Sequence, residues 1–464
     1  MRVLFAEPSV KYPNKIQADG RRAEIGIRLN YALLAGYLRD NHPDIDVQVR
    51  PYRLLDFTGQ DYSIEEDISR ADVVCVGAST AEANSALRIA RLAKDSGKIT
   101  VLGGLFPSSN AEYVLRRGAD YVVRGEGEQT LLELIRALER KQPPDSIQGI
   151  SFRKDSKVIN NPTRKLMPDI DDIRPAYDLL PMQEYAKHVK GIVYSSRGCN
   201  NGCSFCTVSP HWQYTQRARS IDGVIEELRQ YHEMGFSEIN FKDESIATDK
   251  VRLGKLLDRI KAENLGMQFK AKVRIREVDE QTLDALRKTG FTELHTGIES
   301  ITQPFEKGLS VKELFGRIKL CLDYGFILNP SFILGLPGQT PDDLRADADF
   351  IMSIGRDEKV KVYTCMYTPH PGTKARNDDR ITIVSDDLDD YTHLRVVAVP
   401  KSLGDTEEAV SLLYDTQKTV VRAVGGIEAE LDSTGLRLPA RTSSCNPLLS
   451  SGARDFLSFH QTHL

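Results

Sequence analysis

The chain has little cysteine, seven residues in 464, which excludes a small scaffold stapled by disulfides. It also lacks an excess of either charge. The 62 Lys+Arg and 66 Asp+Glu leave a net −4 at neutral pH. No one-signed field is therefore present to recruit nucleic acid or an anionic membrane, and neither is expected as a partner. No apolar run approaches the roughly 20 residues of a membrane-spanning helix. Low-complexity segments and a signal peptide are missing too, so the chain reads as cytoplasmic with reduced thiols. Tryptophan is nearly absent, with Trp212 the single one. What is present is ordinary for a globular protein, 40% hydrophobic and 7% aromatic residues, in a length beyond the growth of one core. Two or three domains are expected.

The scarcity of cysteine makes its distribution informative. Cys199, Cys203 and Cys206 stand in a C-x3-C-x2-C run between Tyr194 and Trp212, where Gly198, Asn200, Asn201 and Gly202 let the backbone fold back on itself. Thiolates this close suit a metal centre, but three ligands do not close one. A structural zinc takes four and would recruit His211. A cubane iron–sulfur cluster also takes four, and an iron left without a protein ligand is open to substrate. The other cysteines are scattered. Cys75 in mid-strand and Cys321 beside Ile318 and Leu322 read as packing, while Cys365 and Cys445 are candidates for an auxiliary cluster or a reactive thiol.

Residues 1–140 alternate short apolar strands, expected at 3–6, 72–77, 99–102 and 120–123, with helical patterns at 25–38, 83–93, 111–116 and 129–138. That alternation predicts an α/β, doubly wound, Rossmann-like parallel sheet covered on both faces. Ligands of such sheets bind beyond the strand carboxyl ends. The residues there are 7–12, Ala78-Ser79-Thr80, Gly103-Gly104-Leu105 and Gly125-Glu126-Gly127-Glu128, and none forms the G-x-G-x-x-G of a dinucleotide site. Residues 141–185, with Pro143, Pro144, Pro162, Pro168, Pro175 and Pro181, read as a linker with one hairpin at 149–161.

From 186 to 376 a second βα series places strands at 191–195, 238–242, 268–273, 293–297, 330–335 and 361–367. It carries a repeat of helix, Gly-Phe and strand at Gly235-Phe236, Gly290-Phe291 and Gly325-Phe326. Six units predict a partial or full parallel barrel with its active site at the strand carboxyl ends, and the cysteine run follows the first strand directly. His211 and Trp212 beside that run, and Tyr363 and Tyr367 on the sixth strand, are candidates to face a cofactor or substrate. Residues 377–464, acidic at 378–379 and 386–390 and helical in pattern at 406–423, form a C-terminal region without an assigned fold, expected to lie over the substrate.

Five motifs stand in order at the expected strand ends: CNNGCSFC at 199–206, NFKDES at 240–245, HTGIES at 295–300, FILGLPG at 332–338 and TPHPGT at 368–373. Over about 190 residues this resembles the radical S-adenosylmethionine enzymes. The resemblance implies a [4Fe-4S] cluster on Cys199, Cys203 and Cys206, with S-adenosylmethionine on the fourth iron and cleaved to a 5′-deoxyadenosyl radical. It also implies an electron donor such as flavodoxin or ferredoxin. It places Phe205 beside the adenine, Asp243 and Glu244 near the methionine amino group, Glu299 at the ribose or methionine, and Gly335 and Gly338 behind the adenine. Lys242-Asp243-Glu244 stands where Gly-Gly-Glu is commoner, which leaves the choice between the two carboxylates open. Arg274 and Arg276 are candidates to pair the methionine carboxylate.

The motifs VGAST at 76–80, VLGGLFPS at 101–108 and DYVVRGEGEQTLLEL at 120–134 resemble the cobalamin-binding domain that precedes the radical domain in a large subfamily. They imply cobalamin held by Ser79, Thr80, Gly103, Gly104, Gly125 and Glu126, with the hydroxyls at its nucleotide tail and the glycine pair allowing close approach. The D-x-H-x-x-G motif for a histidine on cobalt is absent. Asp40-Asn41-His42 supplies only its first half, with Ile45 at the glycine position, so the cobalt is expected to have no histidine ligand. The pairing of domains implies a cobalamin-dependent methyltransferase acting on an unactivated carbon of a small-molecule or natural-product substrate. Two other readings stand beside it: cyclisation, ring contraction or rearrangement on the same architecture, and a metal-binding module without catalysis. Sulfur insertion fits poorly, because the N-terminal domain has only Cys75 where methylthiotransferases place three further cysteines.

Overall fold

The computed structural model describes residues 1–8, 25–303, 308–392 and 394–424; Pro13, Gly20 and Cys445 lie outside the described residues. Five parallel strands, β1 (Arg2–Ala6), β2 (Asp46–Arg50), β3 (Val73–Gly77), β4 (Ile99–Gly103) and β5 (Tyr121–Val123), pair in the order β2-β1-β3-β4-β5. Alternate residues of these strands feed two separate cores. Val3, Phe5, Cys75, Val101 and Val123 pack with the helices Leu29–Asn41 and Glu128–Glu139, and Leu4, Ala6, Val74, Val76 and Leu102 pack with the helix Ala83–Asp95. This is why the strands read as continuous apolar runs: both faces are covered. The hairpin expected at 149–161 forms as β6 (Ile150–Lys154) and β7 (Lys157–Asn160). It pairs antiparallel with β5, extending the first sheet to seven strands.

The second sheet begins at β8 (Gly191–Val193). A small hairpin, β9 (Ser196–Gly198) with β10 (Gln216–Ala218), follows, and then β11 (Glu238–Phe241), β12 (Gln268–Lys272), β13 (Phe291–Glu299), β14 (Ile327–Leu334) and β15 (Tyr363–Met366). The order β8-β11-β12-β13-β14-β15 is parallel throughout, with β8 and β15 at the two edges, so the barrel is partial. Phe236, Phe291 and Phe326 of the repeat are all buried, as a residue folding back on its preceding helix requires. Among the described residues no helix is long and apolar enough to cross a membrane.

The C-terminal region is the main addition to the sequence reading. The strand β16 (Ile381–Ile383) packs beside Leu336 and Tyr367, and its antiparallel partner β17 (Ala398–Pro400) and the helix Thr406–Ala423 pack on Leu334 and Met366 at the barrel edge. Leu388, Tyr391 and Val397 enter the core of the first domain beside Leu4 and Leu87. The region therefore ties the two sheets together, and its three-residue strands are too short to give a periodic signal.

The TPHPGT turn completes that docking. Asn110 Nδ2 donates to the Pro371 carbonyl at 3.0 Å, and His370 Nδ1 lies 2.9 Å from Thr80 Oγ1. Gly372 has φ 82°, and a Cβ there would stand 2.7 Å from both Ser109 Cβ and its carbonyl oxygen. Gly372→Ala is therefore expected to separate the turn from the helix Leu105–Ser109, because the backbone oxygen has no rotamer by which to yield. The left-handed conformation alone costs an alanine about 1–2 kcal/mol. Amide exchange at 105–110 should accelerate, and wild-type protection there would refute the assignment.

Candidate active site

The three cysteines lie on the loop that joins β9 to β10, so they hang from a two-stranded neck, with Arg197 opposite Arg217 in the register. All three are half-buried and free of disulfides. The loop presents donors to sulfur. Asn201 N–H approaches Cys199 Sγ at 3.5 Å, Val208 N–H approaches Cys206 Sγ at 3.3 Å, and Arg274 Nη2 donates to Cys199 Sγ at 3.1 Å. These donors would hydrogen-bond to ligated sulfur and hold its orientation. Among the described residues no three histidine, cysteine or carboxylate side chains converge on one metal-ion position. The thiolates of a cubane each hold a separate iron and have no need to converge. The donor set thus fits an iron–sulfur cluster.

A cavity of about 400 Å³ separates the carboxyl ends of the first sheet from the cysteine hairpin. Gly103, Gly104, Gly125, Glu126, Ser79 and Tyr31 line one wall, and Tyr194, Arg197, His211, Trp212, Lys242 and Glu244 line the other. Its volume lies within the range of ligand pockets, roughly 300–1,000 Å³. At Gly103 and Gly104 the wall is bare backbone, which a flat, bulky ligand can approach closely. The site so formed fits a corrin, and among the wall residues named here the one histidine, His211, lies on the wall nearer the cysteines.

Two residues expected at the nucleotide tail are otherwise engaged. Thr80 is held by His370, and Ser79 donates from its amide and hydroxyl to Glu82 Oε2 at 2.9 and 2.8 Å. Glu126, expected at cobalamin, accepts from Arg197 Nη1 at 3.1 Å, from Arg217 Nη1 and Nη2 at 3.0 and 3.1 Å, and from Met167 N–H at 2.8 Å. Glu128 accepts from Arg197 at 2.8 Å. Trp212 lies against both guanidiniums, 5.8 and 5.6 Å from its ring, and beside His211.

Around the barrel rim the two adjacent carboxylates separate. Asp243 is 1% exposed and accepts from Ser195 N–H at 2.9 Å, Ser195 Oγ at 2.8 Å and Ser196 Oγ at 2.6 Å, so it braces the entry to the hairpin. Burial raises its pKa against the lowering pull of those donors. Glu244 faces the cavity and pairs with Lys272 at 3.3 Å. Arg274 reaches from the end of β12 to Cys199 and to Glu277 at 3.0 Å, with the Asn201 side-chain amide against its guanidinium, and Arg276 is exposed. Glu299 ends β13 in the left-handed region at φ 69°, a strained position for a residue with a side chain. Phe205 packs beside Leu336 and Tyr367. Tyr367 is buried there rather than pocket-lining, because β15 turns it under the C-terminal region, while Tyr363 is exposed. Cys365 is half-buried, and Cys75 and Cys321 are buried thiols whose pKa burial pushes up to about 12.

Several site residues escaped the sequence reading. Gln339 accepts from Gly335 N–H at 2.8 Å and donates to Asp347 Oδ2 at 2.7 Å, and Asp347 Oδ1 accepts from Ile301 N–H at 2.8 Å. One buried relay thus fixes the loops after β13 and β14, including Gly335 and the backbone beyond Glu299. Burial raises the Asp347 carboxyl to about 6. On the first domain, Arg28 is held by Glu7 at 2.7 Å and by Glu82, and Tyr31 accepts from Gly77 N–H at 2.8 Å. The only available signal for these was polar residues on an otherwise apolar helix start.

Burial pushes the His211 imidazole down to about 4, against the opposing pull of Glu126. An unfolded histidine takes its proton near 6.5, so between about 6.5 and 4 the unfolded chain binds the extra proton and stability falls as pH drops. His211→Gln is expected to remove that part of the slope without moving stability's pH dependence above about 7. Denaturant titrations across this range check it; an unchanged acid slope would refute it.

Similarity to known proteins bears on the family and the fold. The model of the radical SAM superfamily matches residues 193–351, and that of the B12 binding domain matches residues 20–135. The chain is 33% identical to an uncharacterized methyltransferase of Pyrococcus horikoshii, over 75% of this chain and 77% of that one. It is 26% identical to the anaerobic magnesium-protoporphyrin IX monomethyl ester cyclase of Rubrivivax gelatinosus, over 88% and 75%. The fold is similar to that of the radical S-adenosylmethionine methyltransferase TsrM of Kitasatospora setae, solved with cobalamin and a [4Fe-4S] cluster: TM-score 0.65 and 16% identity over 89% of this chain and 84% of that one.

Proposed function

The chain belongs to the radical S-adenosylmethionine superfamily, in the group that carries a cobalamin-binding domain, and from that premise we propose that it methylates an unactivated carbon of a small-molecule substrate. One observation supports the reading above the others: the cavity is walled on one side by the glycines of the first sheet and on the other by the neck of the cysteine hairpin and Glu244. Cobalamin held in that cavity would lie beside the iron–sulfur site. When bound, the cluster with S-adenosylmethionine supplies hydrogen abstraction from carbon, and cobalamin supplies a methyl carrier.

The chain's own residues bind, orient and shield. Cys199, Cys203 and Cys206 would hold the cluster, with Arg274 lowering the charge density on Cys199. Glu244 would take the methionine amino group, since Asp243 is committed to Ser195 and Ser196. Gly335 and Gly338, fixed by the Gln339–Asp347 relay, and Phe205 would wall the adenine. Trp212, His211 and Tyr194 close the cavity against water. Anaerobic protein loaded with both cofactors should form S-adenosylhomocysteine and 5′-deoxyadenosine together, with a product heavier by one methylene. A product of unchanged mass would assign rearrangement instead and refute methylation.

A further inference from the structure

Some carboxylates of the site neither bind nor shield, and Glu126 is the one among them that joins the two domains. Glu126 sits at the carboxyl end of β5, between Gly125 and Gly127 of the cavity wall, and both its oxygens point out of the first domain. Its partners are Arg197 of β9 and Arg217 of β10, the residues facing each other at the neck whose loop carries all three cysteines. Oε1 takes one donor from each arginine, and Oε2 takes a second from Arg217 and one from Met167 N–H. With Glu128 also on Arg197, the neck is gripped across both strands from a single turn of the other domain. Glu126 is buried and the side chains of Arg197 and Arg217 are only 10% exposed, so the grip is less weakened by solvent than a surface pair is.

We propose that Glu126 is a positioning residue, which sets the cysteine loop at a fixed distance from the corrin cavity rather than binding cobalamin. The proposal rests on the reading that the cysteines hold the cluster and that the cavity holds cobalamin. A hydrogen-bonded carboxylate with four donors has no lone pair left for a ligand amide. Its removal frees the neck to shift while the three thiols and the glycine wall stay intact. Geometry of this kind governs rate steeply, a misplacement of about 1 Å costing on the order of 10²-fold.

The test compares wild type, Glu126→Gln and Arg217→Lys, each purified anaerobically and loaded with cobalamin. The readouts are iron and cobalamin content, the magnetic coupling between reduced cluster and paramagnetic cobalt, and the ratio of methylated product to 5′-deoxyadenosine. Glu126→Gln should keep both cofactors but alter the coupling and lower the ratio by about 10²-fold. Arg217→Lys, which keeps the charge and loses the fork, should fall between. Unchanged coupling in Glu126→Gln overturns the proposal, as does loss of cobalamin with a wild-type cluster signal, which would make Glu126 a cofactor contact. If Glu126→Gln does not fold, Arg217→Lys decides by the same two criteria. Failure of wild type to take up iron or cobalamin would instead refute the functional reading beneath it.

Discussion

Cys206→Ala is expected to remove the iron-dependent absorbance and all cleavage of S-adenosylmethionine while leaving cobalamin bound. Cys206 lies in the middle of the loop, where Cys206 N–H closes a turn on the Cys203 carbonyl at 3.0 Å and Val208 N–H points at its sulfur. A cubane reduced to two thiolates has two open irons, and the backbone donors then face a methyl group that accepts nothing. Turnover should drop to background, at least about 10⁶-fold below wild type, since that is the least an enzyme ordinarily adds. Cobalamin should survive because none of the three cysteines lines the cavity; its walls come from the first sheet, Trp212 and Glu244. Iron and sulfide analysis, the visible spectrum and 5′-deoxyadenosine formation check the result together. Retention of full iron would show that Cys206 is not a ligand.

The separation of the two cofactors' walls explains what the sequence revealed and what it did not. Strand ends were legible because parallel strands buried on both faces read as apolar runs, and ligand residues follow them within one or two positions. Thus Gly103-Gly104, Gly125, Glu244 and the cysteine run all came to the site. Pairing was not legible. Asp243 and Glu244 are neighbours in sequence, and only Ser196 of β9 and Ser195 just before it decide which one turns inward. Thr80 meets His370 across 290 positions, and Glu126 meets Arg217 across 91. No local period encodes such contacts. The neck itself was missed because three-residue strands carrying an arginine at each midpoint have neither the length nor the alternation of a strand pattern. The acidic C-terminal region was opaque for the same reason: its apolar residues, Leu388, Tyr391 and Val397, are spaced to fit a surface already built by the first domain.

The neck makes a second large effect predictable, at a residue that touches no cofactor in the sequence reading. Gly198 immediately precedes Cys199 and has φ 87°; a Cβ there would stand 2.1 Å from the Thr215 carbonyl oxygen and 2.9 Å from Trp212 Cβ. The first contact is backbone across the hairpin, opposite the Gly198–Gln216 pair, and no side-chain rotation relieves it. Gly198→Ala must therefore open the neck, at a cost of about 1–2 kcal/mol for the left-handed residue and more for the overlap. Opening it moves Trp212 off the cavity wall and pulls Arg197 from Glu126, and breaking a buried pair of this kind costs roughly 3–5 kcal/mol. Unlike Cys206→Ala, this variant should lose iron and weaken cobalamin binding together, with a lowered thermal midpoint, while all three thiols remain titratable. Wild-type iron content with undiminished cobalamin binding would show that the neck is not what holds the loop. Iron loss with cobalamin binding intact would show that the two walls are independent, and that the loop is held by its ligands alone.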